Sequence, residues 1–120
     1  EILKKIWHKT EGKQIRHFIV SFAYSERVSE REAWRLAYYI AAYYADCYQI
    51  LYAVHKDSPY VHIHFVFNPV SIWDGRMYAR GKEDYAQLGS HIYFQMNTGG
   101  WRDAGKEPKR FLLNDQWKCW

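Results

Sequence analysis

Three histidines lie close together near the middle of the chain, at His55, His62 and His64. Residues 61–67 alternate like a strand, and side chains two apart on a strand share a face, so His62 and His64 point the same way. Residues 57–59 have the composition of a turn, and a hairpin there brings His55 beside the other two. Imidazoles ligate divalent metals, and three from two adjacent strands leave coordination positions open, as catalytic sites do. The sequence therefore predicts a metal site.

Strands and turns around the histidines follow from alternating hydrophobicity. Residues 15–22, 48–54 and 61–67 each read as a strand. In the first of these, His17 falls on the side opposite Phe18, so it can share the face that carries the metal site. Asp74-Gly75 predicts a short hairpin between residues 71–73 and 76–78, because this dipeptide supports positive φ.

Two helices are predicted in addition. Ser29 and Glu32 match a capping box, which starts a helix that runs to about Tyr44, and residues 82–96 form the second. The first helix has a core-facing stripe at helical spacing, made of Ala33, Leu36, Ala37, Ile40, Ala41 and Tyr44. The order of elements favours an α+β fold, an antiparallel sheet with its helices on one face. The histidines then lie on the open face, within reach of a ligand.

Composition fits a single globular domain with a nucleic-acid partner. The chain has 120 residues, of which 48% are hydrophobic and 19% aromatic, and its net charge is +4. Positive charge favours a polyanionic partner, and exposed aromatic rings can stack on bases, although such rings also pack in cores. There is no apolar run of about 20 residues, so we expect no membrane partner. The two widely separated cysteines suit a cytoplasmic protein.

The two ends of the chain carry further predictions. Residues 2–8 have helical spacing but no start signal, so we expect a piece of a longer protein or a processed one. Residues 101–120 show no clear periodicity and are basic and aromatic. This composition suits either a tail that follows a nucleic-acid backbone or a packed extension. We divide the chain into a core at 1–100 and an extension at 101–120.

These motifs resemble the relaxase, or mobilization nuclease, family of the HUH endonuclease class, which is named for two histidines separated by a hydrophobic residue. The resemblance covers roughly Lys9 to Leu88. Its motifs are residues 12–22, the capped helix, His55-Lys56-Asp57, His62-Ile63-His64 with Asn68, and Asp74-Gly75-Arg76-Met77-Tyr78. The spacing of the three histidines and the trailing asparagine is the specific part.

The resemblance implies a DNA-nicking enzyme that acts at an origin of transfer of a plasmid or mobile element. A tyrosine attacks the scissile phosphate and keeps the 5′ phosphate as a phosphotyrosyl link. A divalent cation, Mg²⁺ or Mn²⁺, is held by His55, His62 and His64, whereas imidazoles alone also suit Zn²⁺ or Ni²⁺. Single-stranded DNA is the implied partner, and accessory mobilization proteins are candidate partners.

The resemblance also implies roles for individual residues. Asp57 is expected to orient a histidine ligand, as carboxylates beside metal sites do. The expected DNA contacts are His17, Asn68, Arg76, Arg80 and Lys82, although Asn68 could instead support the site. The family carries its nucleophilic tyrosine in an N-terminal segment, and no tyrosine of this chain falls there. Within the chain, Tyr85 is the best candidate, because it lies on the helix after the histidine motif.

Three other functions stay open at this point. A degenerate relaxase that only binds single-stranded DNA predicts salt-dependent binding and no covalent adduct. A nuclease related to replication initiators or transposases would use Tyr85. A small-molecule metalloenzyme with the same three histidines predicts a deep, enclosed pocket instead of an open basic face.

Overall fold

An antiparallel sheet of four strands forms the centre of the fold, in the order β2-β3-β1-β4. The computed structural model describes residues 14–57, 60–76, 78, 82–98, 100–103 and 110–119. The strands are β1 (Gln14–Phe22), β2 (Ile50–Asp57), β3 (Tyr60–Phe67) and β4 (Phe111–Cys119). Each neighbouring pair is antiparallel. Strand β1 pairs with β3 on one side and with β4 on the other.

Two helices cover one face of this sheet, which we call the core face. They are α1 (Glu30–Ala45) and α2 (Lys82–Asn97), and a 3-10 turn (Tyr24–Glu26) precedes α1. All six residues of the predicted stripe on α1 are buried, and α2 adds Leu88, Ile92 and Met96 to the same core. The α+β fold with helices on one face of an antiparallel sheet is confirmed.

Strand periodicity determines which side chains enter the core. Phe18 and Val20 of β1 and Ile63 and Phe65 of β3 are each at most 1% exposed, while the residues between them are only half-buried. Phe18 and Phe65 stack with ring centroids 4.6 Å apart. The second face, with no helix packed on it among the described residues, is the one that carries the histidines; we call it the histidine face.

The start of α1 is joined to the segment that follows α2. Ser29 and Glu32 form the predicted capping box: the Ser29 N–H donates to Glu32 and the Glu32 N–H donates to Ser29 Oγ. Glu32 Oε2 also accepts from Arg102 Nε at 3.0 Å and from the Asp103 N–H at 2.9 Å. Burial raises the pKa of Glu32, but these hydrogen bonds outweigh burial and hold the pKa below its ordinary value.

The sequence did not predict β4. This strand lies within the segment that has no clear periodicity, and it pairs with β1 along its whole length, from Gln14 opposite Cys119 to Phe22 opposite Phe111. On the core face, Arg16 of β1 and Asp115 of β4 form a bidentate ion pair, with Nε–Oδ1 and Nη2–Oδ2 distances of 2.8 and 2.7 Å. Their side chains are 1% and 6% exposed, so this ion pair is buried.

The predicted hairpin at Asp74-Gly75 is a chain reversal without regular strands in the described residues. The Ser71 N–H donates to the Arg76 carbonyl, and Gly75 has the expected positive φ of 72°. Hydrogen bonds between side chains and nearby backbone N–H groups take the place of the backbone hydrogen bonds of a hairpin. Ser71 Oγ accepts from the Trp73 N–H, and Asp74 Oδ1 accepts from the Arg76 N–H. Ser and Asp side chains compete in this way with regular pairing.

The predicted helix at residues 2–8 and the turn residues 58 and 59 lie outside the described residues. Among the helices that the structure describes, none is both long and apolar enough to cross a membrane.

Candidate metal and DNA site

The three predicted metal ligands meet on the histidine face. His55 of β2 is directly opposite His62 of β3 in the strand register, and His64 follows two residues later on the same face. The ring centroids of His55 and His64 are 4.9 Å apart, and those of His62 and His64 are 6.5 Å apart. His55 is exposed and the other two are half-buried, so a ligand can approach the group from solvent.

Strand β1 adds two side chains to this group. Ser21 lies opposite His62 in the register, and its Oγ is 2.9 Å from Nδ1 of His62. His17 stacks on His64 with ring centroids 5.5 Å apart, and its Nε2 is 3.3 Å from Nδ1 of His64. His17 therefore shares the histidine face, as its position in β1 suggested, and its nearest function there is to position His64. The residue types alone gave no signal for Ser21.

The donor set fits a divalent cation. Imidazole nitrogen is a ligand for Mn²⁺, Zn²⁺ and similar ions, and a metal-bound histidine usually has its other ring nitrogen hydrogen-bonded. His62 meets this condition, because Ser21 engages Nδ1 and leaves Nε2 for an ion. Within the described ranges, however, no three His, Cys, Asp or Glu side chains are arranged as a formed metal-binding group. The metal site therefore stays a prediction.

The other predicted contact residues are more dispersed. Asp57 ends β2 opposite Tyr60, but its side chain, that of Lys82, and all of Arg80 lie outside the described part of the chain. Asn68 is 7% exposed; its Nδ2 donates to Gln49 Oε1 and its Oδ1 accepts from the Val70 N–H. This geometry favours a supporting role for Asn68 over a DNA contact.

Arg76 lies in the exposed chain reversal after β3. Its side chain is 88% exposed, and its Nε is 3.7 Å from Asp74 Oδ2. This exposed, weakly held cation is accessible to a phosphate, and its predicted DNA contact stays a prediction.

The structure places two tyrosines differently with respect to the histidines. Tyr85 is 50% exposed on α2, the helix whose buried residues enter the core from the opposite side of the sheet. Tyr60 begins β3, shares the face of His62 by strand periodicity, and has its ring centroid 6.5 Å from that of His62. Sequence reasoning missed Tyr60 because its position depends on where β3 begins.

Two of the cavities formed by the described residues lie at opposite ends of the sheet. One, of about 610 Å³, has His62 in its wall together with Ser21, Phe22, Ala23, Tyr60, Arg110, Phe111 and Leu112. The other, of about 550 Å³, is lined by Ile15, Ala45, Tyr48, Gln49, Ile50, Leu51, Val66 and Asn68. Only the first is lined by a guanidinium, and it lies where β1 ends and β3 and β4 begin.

A comparison with family models agrees with the fold. Residues 1–92 match the model described as relaxase, MobA/VirD2-like, nuclease domain. No curated protein and no solved structure matches the chain significantly. Relaxase nuclease domains nick DNA during mobilization, bind single strands and are generally metal-dependent. Since the match covers most of its length, the chain belongs to the MobA/VirD2-like relaxase family and contains its nuclease domain.

Proposed function

We propose that this domain nicks one strand of DNA at an origin of transfer by forming a phosphotyrosyl intermediate, with a divalent cation held by His55, His62 and His64. The observation that carries the proposal is the convergence of these three imidazoles from two paired strands on the face without helices. Mg²⁺ or Mn²⁺ is the proposed working ion. When bound, the ion stabilises charge on the phosphoryl oxygens.

The chemistry requires a tyrosine and a positioned phosphate. The tyrosine Oη forms a bond to phosphorus, the bond from phosphorus to O3′ breaks, and the released strand leaves with a 3′-hydroxyl. The 5′ phosphate remains on the tyrosine. Because an ordinary phenol has a pKa near 10, its proton must be accepted as the bond forms. Ser21 and His17 contribute by fixing the ring orientations of His62 and His64.

The resemblance implies a nucleophilic tyrosine in an N-terminal segment, where no tyrosine of this chain falls, and we retain that tyrosine as a proposed nucleophile. Within the chain, Tyr85 was the expected substitute, but it lies on a helix across the sheet from the histidines. Tyr60 is the better placed of the two, because it shares their face. The test must therefore compare both tyrosines.

A covalent-adduct assay tests this function. The protein is incubated with Mn²⁺ and labelled single strands from the parent element's transfer origin, and a denaturation-resistant band is sought. We expect the band when the protein carries the N-terminal tyrosine that the resemblance implies, and we expect it to disappear in His64→Ala. Mass spectrometry of the adduct, together with Tyr85→Phe and Tyr60→Phe, identifies the nucleophile. Tyr38→Phe, an exposed tyrosine on α1, is the matched control.

Metal binding is measured separately by calorimetric titration with Mn²⁺. Loss of binding in both His62→Ala and His64→Ala supports the site. If either variant binds Mn²⁺ as tightly as the parent, the assignment of these histidines as metal ligands is refuted.

Binding without catalysis is a second candidate, and it is favoured by the position of Tyr85 on α2, the helix that packs on the core face and not on the histidine face. It predicts single-strand affinity that falls steeply with salt and no adduct in any form of the protein, including one that carries the N-terminal tyrosine that the resemblance implies. We propose a cytoplasmic location and accessory mobilization proteins as partners in either case.

A further inference from the structure

The cavity next to His62 combines features that suit one nucleotide of a single strand. Its volume, about 610 Å³, lies within the range of small-ligand sites. Its walls come from the end of β1 and the starts of β3 and β4, so three paired strands fix its shape. Two of its large side chains, Tyr60 and Leu112, are 48% and 76% exposed. Exposed rings and alkyl groups of this size are surfaces on which a base can stack.

Charge distinguishes this cavity from the one at the other end of the sheet. Arg110 lies at the start of β4, is exposed, and lines the cavity beside His62. The opposite cavity is apolar too, but its lining contains no Lys or Arg. A base with its phosphate needs both an apolar surface and a cation, because the phosphate carries a full negative charge. Of the two cavities at the ends of the sheet, the one beside His62 supplies both.

We propose that this cavity is a nucleotide subsite of the nicking site, in which Tyr60 and Leu112 hold a base of the single strand and Arg110 binds its phosphate. The inference rests on the proposed function, since it uses the same DNA strand that reaches the histidines. His62 is both a wall of the cavity and a member of the histidine group, so a nucleotide seated here is continuous with the strand at the histidines. The subsite thus lies on the β4 side of the metal site.

The test measures the binding of a short labelled single strand by fluorescence anisotropy in the presence of a chelator, so that metal does not contribute. Tyr60→Ala is expected to weaken binding by about 5- to 150-fold, the range for loss of one base stack. Tyr60→Phe should bind like the parent, because stacking needs the ring and not the hydroxyl. When the labelled DNA strand lacks bases, Tyr60→Ala should bind it as tightly as the parent does.

Arg110→Ala has a different signature. It should lower affinity and reduce the slope of log affinity against log salt by about 0.7, the value for one phosphate contact on a single strand. Tyr60→Ala should leave that slope unchanged. Matched controls are Tyr38→Ala and Arg31→Ala, an exposed tyrosine and an exposed arginine on α1, which packs on the core face.

Each outcome decides between the proposals. If the parent forms the adduct but Tyr60→Ala and Arg110→Ala bind the strand as it does, the subsite is wrong and the nicking function stands. If the variants lose strand affinity while no adduct forms under any condition, the subsite stands and the catalytic proposal fails. If the parent binds no single-stranded DNA, both the subsite and the nicking function are refuted. If the protein is dimeric and the same substitutions make it monomeric, the cavity is an interface between copies and the subsite is wrong.

Discussion

The buried ion pair between β1 and β4 gives a prediction whose size follows from its geometry. Asp115→Asn removes the charge that faces Arg16 across two hydrogen bonds of 2.8 and 2.7 Å, at side chains 1% and 6% exposed. At an effective dielectric constant of about 20, unit charges about 4 Å apart attract by roughly 4 kcal/mol. Removing one partner of a buried pair costs about 3–5 kcal/mol. We expect the free energy of unfolding to fall by about 3 kcal/mol.

Urea denaturation followed by tryptophan fluorescence measures this loss, and hydrogen exchange should show it first in the amides of β4. Arg16→Met combined with Asp115→Leu should recover most of the stability, because an apolar pair of similar volume avoids the desolvation cost. Asp103→Asn is the control: it removes the more exposed Arg35–Asp103 pair, which contributes less than about 1 kcal/mol. The reasoning is refuted if Asp115→Asn unfolds within about 1 kcal/mol of the parent, or if the double variant is no more stable than the single one.

Two further predictions concern the metal site and the start of α1. Ser21→Ala should weaken Mn²⁺ binding by about 10- to 100-fold in calorimetry, because His62 loses the hydroxyl that fixes its ring, and Ser21→Thr should restore it; equal affinities would assign Ser21 no positioning role. Glu32→Gln should cost about 2 kcal/mol near neutral pH, measured by urea denaturation. Since the folded-state pKa of Glu32 lies below its ordinary value of 4.5, its stabilisation is present above that value and is lost as the pH falls through the folded-state pKa. The difference between parent and variant should therefore disappear on acidification, and a constant difference from neutral to acidic pH would contradict the assignment.

Local rules in the sequence predicted the elements whose partners are near in the chain. The histidine face follows from period-two alternation in β3 and from the turn composition of residues 57–59, which predicts the pairing of β2 with β3. The capping box of Ser29 and Glu32 determines where α1 begins. The features that the sequence did not predict depended on distant partners or on side chains that bind the backbone.

The missed strand β4 is the clearest case. Asp115 occupies a core-facing position, where a charge breaks the alternating pattern that marks a half-buried strand. It is stabilised there by Arg16, which lies 99 residues earlier in the chain. No local pattern reports such a pairing. The cavity beside His62 was missed for the same reason, because β4 brings Arg110 and Leu112 into its wall.

The central position of β1 has a consequence for the synthesis of this protein. Strand β1 emerges from the ribosome before β3 and β4, and it can pair with β3 once residue 67 has emerged. Its other edge must wait for β4, and at about 5–20 residues per second the intervening stretch takes seconds to translate. During that interval a row of unpaired backbone groups is open to pairing with another nascent chain. A fragment ending at residue 92, where the family match stops, would lack β4 and leave that edge of β1 unpaired permanently. We therefore expect such a fragment to aggregate during expression.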